Sequence, residues 1–181
     1  SSGIEYYHDL VHSKTHTDNP ESGAQADYRG LYPDGSTYGN FAIYTLHNYQ
    51  LNKWEFSVGV RYNLVRLHVE DTTFGNTTIT PDALVGNAGI VYKLNPRHHL
   101  VANINSAFRA PNINDVSSFG IADFRYEVPA YNLKPETSLN TELGYKFKYP
   151  RVSGTAYVFH NKLNDLIANV PAQYQGMDSL D

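Results

Sequence analysis

Three histidines spaced by four, His8, His12 and His16, are the first candidates for chemistry, because on a helix that spacing stacks imidazoles on one face. The segment instead alternates like a strand, where neighbours at this spacing lie roughly 13 Å apart, too far for one ion. No metal site is expected. His98 and His99 fall in a short turn and are expected to be exposed or interfacial. Asp115, Asp123, Glu127 and Glu136 crowd one segment without the defined spacing of an acid/base pair. The chain has no Cys, no G-x-S-x-G elbow, no H-E-x-x-H and no phosphate-cradling glycine loop. It is not expected to be an enzyme, and no resident cofactor is expected. What remains is a group of aromatic and cationic residues: Tyr28, Arg29, Tyr32, Phe119, Phe124, Arg125, Tyr126 and Tyr131. Such side chains stack on catecholates, sugars or planar macrocycles, and their guanidinium groups answer an anionic ligand. They are the candidate ligand contacts.

The elements that must position them are strands. From Phe56 to Leu67, Val58, Val60, Tyr62 and Leu64 point one way while Ser57, Gly59, Arg61 and Asn63 point the other. From Ser138 to Tyr149, Leu139, Leu143, Tyr145, Phe147 and Tyr149 oppose Asn140, Glu142, Gly144, Lys146 and Lys148. Weaker alternation marks Gly3–His12, Tyr38–Tyr49, Leu84–Leu94, His99–Phe108 and Val152–Ile167, and no helical periodicity stands out. Tyrosine occurs 15 times against one Trp and one Met, and mean hydropathy is -0.46. That balance suits strands with one apolar and one wet face, either in a transmembrane barrel or in a soluble sandwich.

Loop lengths separate the two classes. Leu51-Asn52-Lys53, Asn95-Pro96-Arg97-His98 and Pro150-Arg151 are tight, whereas 13–37, 70–83 and 109–137 are long. Strict alternation puts all tight turns at one end of the sheet and all long loops at the other, as in outer-membrane barrels. Greek-key sandwiches disturb that order. The net charge of -4 offers no basic face for nucleic acid. No apolar run approaches the roughly 20 residues of a membrane helix, and no signal peptide opens the chain. The sequence opens inside a strand and stops in the polar stretch Asp178–Asp181, so it is expected to be a fragment.

Two segments go beyond patterning. Phe108-Arg109-Ala110-Pro111-Asn112 ends the fifth long strand, and Asn132-Leu133-Lys134-Pro135-Glu136-Thr137-Ser138 leads into the sixth with Glu142 and Gly144. This pair closely resembles the barrel signature of TonB-dependent outer-membrane receptors of the siderophore, haem or cobalamin type. Gly59-Val60-Arg61-Tyr62, Tyr32-Pro33-Asp34-Gly35-Ser36 and Tyr157-Val158-Phe159 extend the likeness over nearly the whole chain. The resemblance implies an all-β antiparallel meander, about seven strands of a 22-stranded transmembrane β-barrel, with residues 1–181 part of that domain. It further implies an outer-membrane lipid environment, a plug domain and a closing strand outside this chain, and a TonB complex acting through a missing N-terminal region. The ligand would be a ferric siderophore, cobalamin or haem. Haem receptors of this type usually carry a histidine between the two boxes, and the stretch from Pro111 to Asn132 has none. The motif residues themselves are expected to be structural: Pro111 lacks the ladder N–H, Pro135 holds Lys134 extended, and Arg109 is placed to pair with Glu136 or Glu142. The alternative is a soluble β-sheet module that binds a ligand or carbohydrate; a passive porin or usher-like barrel lacks the paired boxes.

Overall fold

The computed structural model describes residues 1–122, 125–174 and 177–180. The chain opens with β1 (Ser2–Leu10), and the first long loop then folds into a hairpin of β2 (Lys14–Asp18) and β3 (Gln25–Arg29). Next come β4 (Thr37–Leu51), β5 (Trp54–Val69), the short β6 (Thr77–Ile79), β7 (Asp82–Asn95) and β8 (His98–Arg109). The third long loop holds α1 (Ile113–Ser117), β9 (Gly120–Ala122) and β10 (Arg125–Glu127). β11 (Glu136–Lys148), β12 (Ser153–Asn164), β13 (Pro171–Tyr174) and β14 (Met177–Leu180) complete the order. The long strands form one antiparallel meander in the order β1-β4-β5-β7-β8-β11-β12, with β6 added beside β5.

Those seven strands match the alternation. Two ends differ: β1 stops at Leu10 rather than His12, and β12 stops at Asn164. Asp165 takes a left-handed φ of 52°, which a strand cannot carry through. The short helix and the loop hairpins were not expected. β2 reads Lys-Thr-His-Thr-Asp, all polar, so it has no hydrophobic alternation to detect.

Register makes the faces explicit. Ile4 lies opposite Ile43, Ile43 opposite Tyr62, and Tyr62 opposite Leu84, so one apolar row crosses four strands. That row is the exposed one, at 68%, 50%, 37% and 70%. One residue along, Glu5, Ala42, Asn63 and Ala83 form the opposite row, in which Ala42 and Asn63 are buried. A sheet packed on a soluble core would show the reverse. The sheltered face is polar and internally paired: Arg61 meets Glu5 at 2.7 Å and donates to Asn63 Oδ1 at 2.7 Å. Lys93 pairs with Glu55, and Asn140 donates to Glu142 at 2.8 Å.

At the tight-turn end the exposed face turns aromatic. Trp54 lies 4.3 Å from Tyr92 between ring centroids. The ring nitrogens of His98 are hydrogen-bonded to the hydroxyls of Tyr145 and Tyr149. Arg97 sits 5.3 Å above the Tyr149 ring. This is the girdle pattern of a barrel interface.

The buried apolar cluster lies at the other end. Leu67 and Val69 of β5 meet Ile113 and Val116 of α1, with Tyr32, Tyr131 and Leu133 packed around them. The apolar cluster therefore forms where the long loops close over the end of β5.

Candidate ligand-binding loops

The FRAPN segment builds a corner. Pro111 closes β8 and is fully buried, Ala110 is nearly so, and the helix starts at once behind them. Asn112 is its N-cap: Asp115 N–H donates to Asn112 Oδ1 at 2.9 Å, and Asn112 N–H donates to Asp115 Oδ2 at 3.0 Å. That reciprocal capping box satisfies two donors that a one-turn helix would leave bare. Arg109 then donates to Asp115 at 2.5 Å and to Glu136 at 3.0 Å. Glu136 Oε1 also accepts the Ile167 N–H at 2.8 Å, so the post-β12 segment joins the same corner. Of the two partners expected for Arg109, Glu136 is met; Glu142 is held instead by Asn103 and Asn140.

The second box lies alongside. Leu133 packs on the core cluster, Asn132 and Lys134 are exposed, and Pro135 stands immediately before β11. Phe108 pairs with Thr137 across the ladder, and Ser138 with Ala107. A Cβ on Gly144 would lie 2.3 Å from the Tyr157 ring, so the bare backbone leaves room for that tyrosine.

A second corner unites the loops. Asp71 is buried beyond the end of β5, and its Oδ2 accepts from Arg29 Nη2 at 2.8 Å, from Arg29 Nε at 3.1 Å and from the Tyr131 hydroxyl at 3.2 Å. Its Oδ1 accepts the Thr73 and Phe74 N–H groups at 2.8 and 3.1 Å. The remaining Arg29 donors reach the carbonyls of Gly30, Leu31 and Ser117. Burial alone would raise the Asp71 pKa, but the bonds from Arg29 and the two amides outweigh it and hold the carboxyl below its usual range. The Tyr131 phenol is pushed up to about 12, first by burial and then by the adjacent Asp71 charge.

Linkage fixes the pH dependence. A lowered folded pKa gives stability that is complete above the unfolded Asp value of about 3.9 and is lost as pH falls through the folded value. Exchange protection of the Thr73 and Phe74 amides should therefore be equal at pH 7 and 5. It should fall only below about pH 4, a course that amide exchange on the whole receptor measures directly.

The candidate contacts divide accordingly. Arg29 and Tyr131 converge on Asp71, and Tyr32 donates to Asn114 at 2.9 Å. Tyr28 on β3 and Tyr126 on β10 keep exposed rings, at 60% and 38%. Tyr126 meets Phe119 edge-on, Phe119 meets Phe74 at 4.7 Å, and Arg29 lies 5.4 Å over Phe119. Phe124 lies outside the described residues, as does the side chain of Arg125. Asp71 and Phe74 escaped the sequence reading; the Asp-Thr-Thr-Phe-Gly stretch signals a turn, but nothing local names its distant partner. The histidines are dispersed: His8 is on β1, His12 lies 3.4 Å from Asp34, and His16 bonds Asp27 at 2.7 Å.

A sheet inverted toward an exposed apolar face, with tight turns at one end and interlocked loops at the other, is matched by a family model. The model for the TonB dependent receptor-like β-barrel covers residues 1–179. The chain belongs to that family. Proteins of this family are receptors and transporters rather than enzymes, and the soluble-module alternative falls with this membership. Transferrin-binding protein A of Neisseria meningitidis serogroup B is 31% identical over 122 residues, which is 67% of this chain and 13% of that protein. Its namesake from Neisseria gonorrhoeae is 31% identical over 121 residues, 66% of this chain and 13% of its own. This TonB-dependent receptor segment thus spans only a small part of its curated relatives. Among solved structures, the copper transporter OprC superposes with a TM-score of 0.79 at 14% identity, over 99% of this chain and 29% of its own. The hemophore receptor HasR of Serratia marcescens, solved with hemophore HasA and heme, gives 0.71 at 15% identity, over 94% and 30%. Those likenesses establish the shared fold.

Proposed function

We propose that this chain forms part of the barrel of a bacterial outer-membrane receptor that actively takes up a scarce ligand, energised by the TonB complex through a region outside residues 1–181. The tight turns would face the periplasm and the long loops the exterior. A plug domain would fill the lumen beside the paired Arg61, Glu5 and Glu142. The observation that carries the reading is the loop platform: Asp71 and Arg109 tie three long loops and the post-β12 segment into one surface above an inverted sheet.

The ligand class is a ferric siderophore, cobalamin or haem, met by the exposed rings of Tyr28 and Tyr126, with Arg29, Tyr32 and Tyr131 holding the surface beneath them. Phe124 and Arg125 are proposed as further contacts from their residue types alone. A second reading, a protein iron carrier, is supported by the name shared by the two sequence relatives. The β9–β10 hairpin also exposes the cross-strand pair Ile121 and Tyr126, at 78% and 38%, as an apolar knob suited to a protein surface.

Growth of a receptor-deletion strain on ferric siderophore, haem, cobalamin or iron-loaded transferrin as sole source, rescued by the full gene, tests the uptake reading and separates the ligands. Rescue on none of them would refute it. In the full receptor, Tyr28→Ala with Tyr126→Ala should weaken binding of the rescuing ligand by about tenfold or more. Unchanged affinity would remove both rings from the site.

A further inference from the structure

We propose that the tight-turn rim is a binding site for anionic phospholipid, with phosphodiester headgroups on Lys53, Arg97 and Arg151 and acyl chains in a groove on the exposed face. The proposal rests on the reading of this face as lipid-facing. Charge is its first support. Within residues 51–55, 93–99 and 146–151 the cations are Lys53, Lys93, Arg97, Lys146, Lys148 and Arg151, and the sole acid is Glu55. Glu55 is already paired with Lys93 on the sheltered face. The chain as a whole carries -4, so the rim is a basic pole on an acidic chain.

Each tight turn contributes one exposed cation, and no carboxylate among the described residues lies within salt-bridge reach of Lys53, Arg97 or Arg151. The turns are also fixed. Lys93 N–H donates to the Lys53 carbonyl at 2.8 Å, and Lys148 N–H donates to the Arg97 carbonyl at 2.9 Å. Asn95 Oδ1 accepts the Arg97 N–H at 2.9 Å. Neighbouring turns are two strands apart, about 10 Å, so adjacent headgroups can each meet one.

Depth supplies the second support. Tyr149 is held by His98 at 2.9 Å and carries Arg97 5.3 Å over its ring, so the guanidinium is poised just beyond the aromatic belt where phosphates lie. Inward from that belt, the exposed face has a groove of about 670 Å³. It is lined chiefly by Val58, Ala88, Ile90, Ala102, Ile104 and Leu143. The small Ala88 and Ala102 hollow it between larger neighbours. Ala102 is four residues along β8 from His98, roughly 13 Å, a span that an acyl chain bridges from the headgroup level. An apolar slot leading to a basic rim fits an amphiphile; a soluble anion would need only the rim.

The test uses the full receptor in nanodiscs of equal phosphatidylglycerol and phosphatidylcholine, followed by native mass spectrometry of the lipids it retains. The wild type should retain phosphatidylglycerol preferentially. The combined Lys53→Gln, Arg97→Gln, Arg151→Gln variant should lower that preference by about tenfold, and raised salt should erode it in the wild type. Ala102→Leu should reduce retention of both lipids while keeping the preference. Equal phosphatidylglycerol retention by wild type and triple variant, or no retention by the wild type, overturns the proposal. Arg97→Cys labelled by an impermeant maleimide separates this from the orientation reading. Labelling only after permeabilisation upholds that orientation, and labelling of intact cells overturns orientation and lipid site together.

Discussion

Leu143→Arg is expected to cut the folded fraction of the full receptor in bilayers by about thirtyfold or more, because an arginine near the bilayer midplane of a barrel costs about 2–4 kcal/mol. Leu143 lies in mid-β11 between Ala102 and Val158, and it is 68% exposed while Val158 is 77% exposed. Nothing among the described residues covers this position, so packing alone predicts almost no penalty: an exposed surface substitution shifts stability by roughly 0.5 kcal/mol at most. The two environments thus assign one substitution very different outcomes. Urea unfolding of the receptor in liposomes, followed by the heat-dependent gel mobility of folded barrels, reads the difference. Glu142→Gln, one residue along on the sheltered face, should leave the folded fraction almost unchanged.

The second large effect concerns the loops. Asp71→Ala should release Arg29, whose side chain is only 11% exposed, as a buried cation without its carboxylate. Breaking a buried pair from one side costs about 3–5 kcal/mol. The loss should appear as rapid proteolysis within 11–36, 70–81 and 110–135, with the barrel itself still folded. Arg29→Met in the Asp71→Ala background should recover part of that protection, since the stranded charge is then gone. Uniform loosening of sheet and loops would instead mean that the corner has no separate identity. Tyr131→Phe should be far milder, because it removes one hydrogen bond and strands no charge.

The contrast between those two sites explains what the sequence discloses. Period-two alternation is local, so Val58-Val60-Tyr62-Leu64 and Leu139-Leu143-Tyr145 reveal their strands and their face without knowledge of any partner. Loop length is local too, which is why the two ends of the meander were legible. The loop corner is not local: Asp71 and Arg29 are 42 positions apart, and Asp71 and Tyr131 are 60 apart. Arg29, Tyr131 and Asp71 look alike in sequence whether they greet a ligand or each other. α1 escaped because five residues are too few to show a 3.6-residue period, although Asn112 and Asp115 carried its capping signal. Pro111 and Arg109 were legible as a strand end and an ion-pairing group, while Asp115, the partner that couples helix cap to guanidinium, was visible only as one acid among several.

The most direct measurement is the accessibility of nitroxide labels on the full receptor in liposomes, placed at Val58, Leu143, Asn63 and Asn103. Collision with dissolved oxygen reports lipid, and collision with a water-soluble nickel chelate reports the lumen. Labels at Val58 and Leu143 should be quenched by oxygen and shielded from nickel, while those at Asn63 and Asn103 should show the opposite preference. Nickel access at Val58 and Leu143 equal to that at Asn63 and Asn103 would place the apolar face in water and contradict the barrel account.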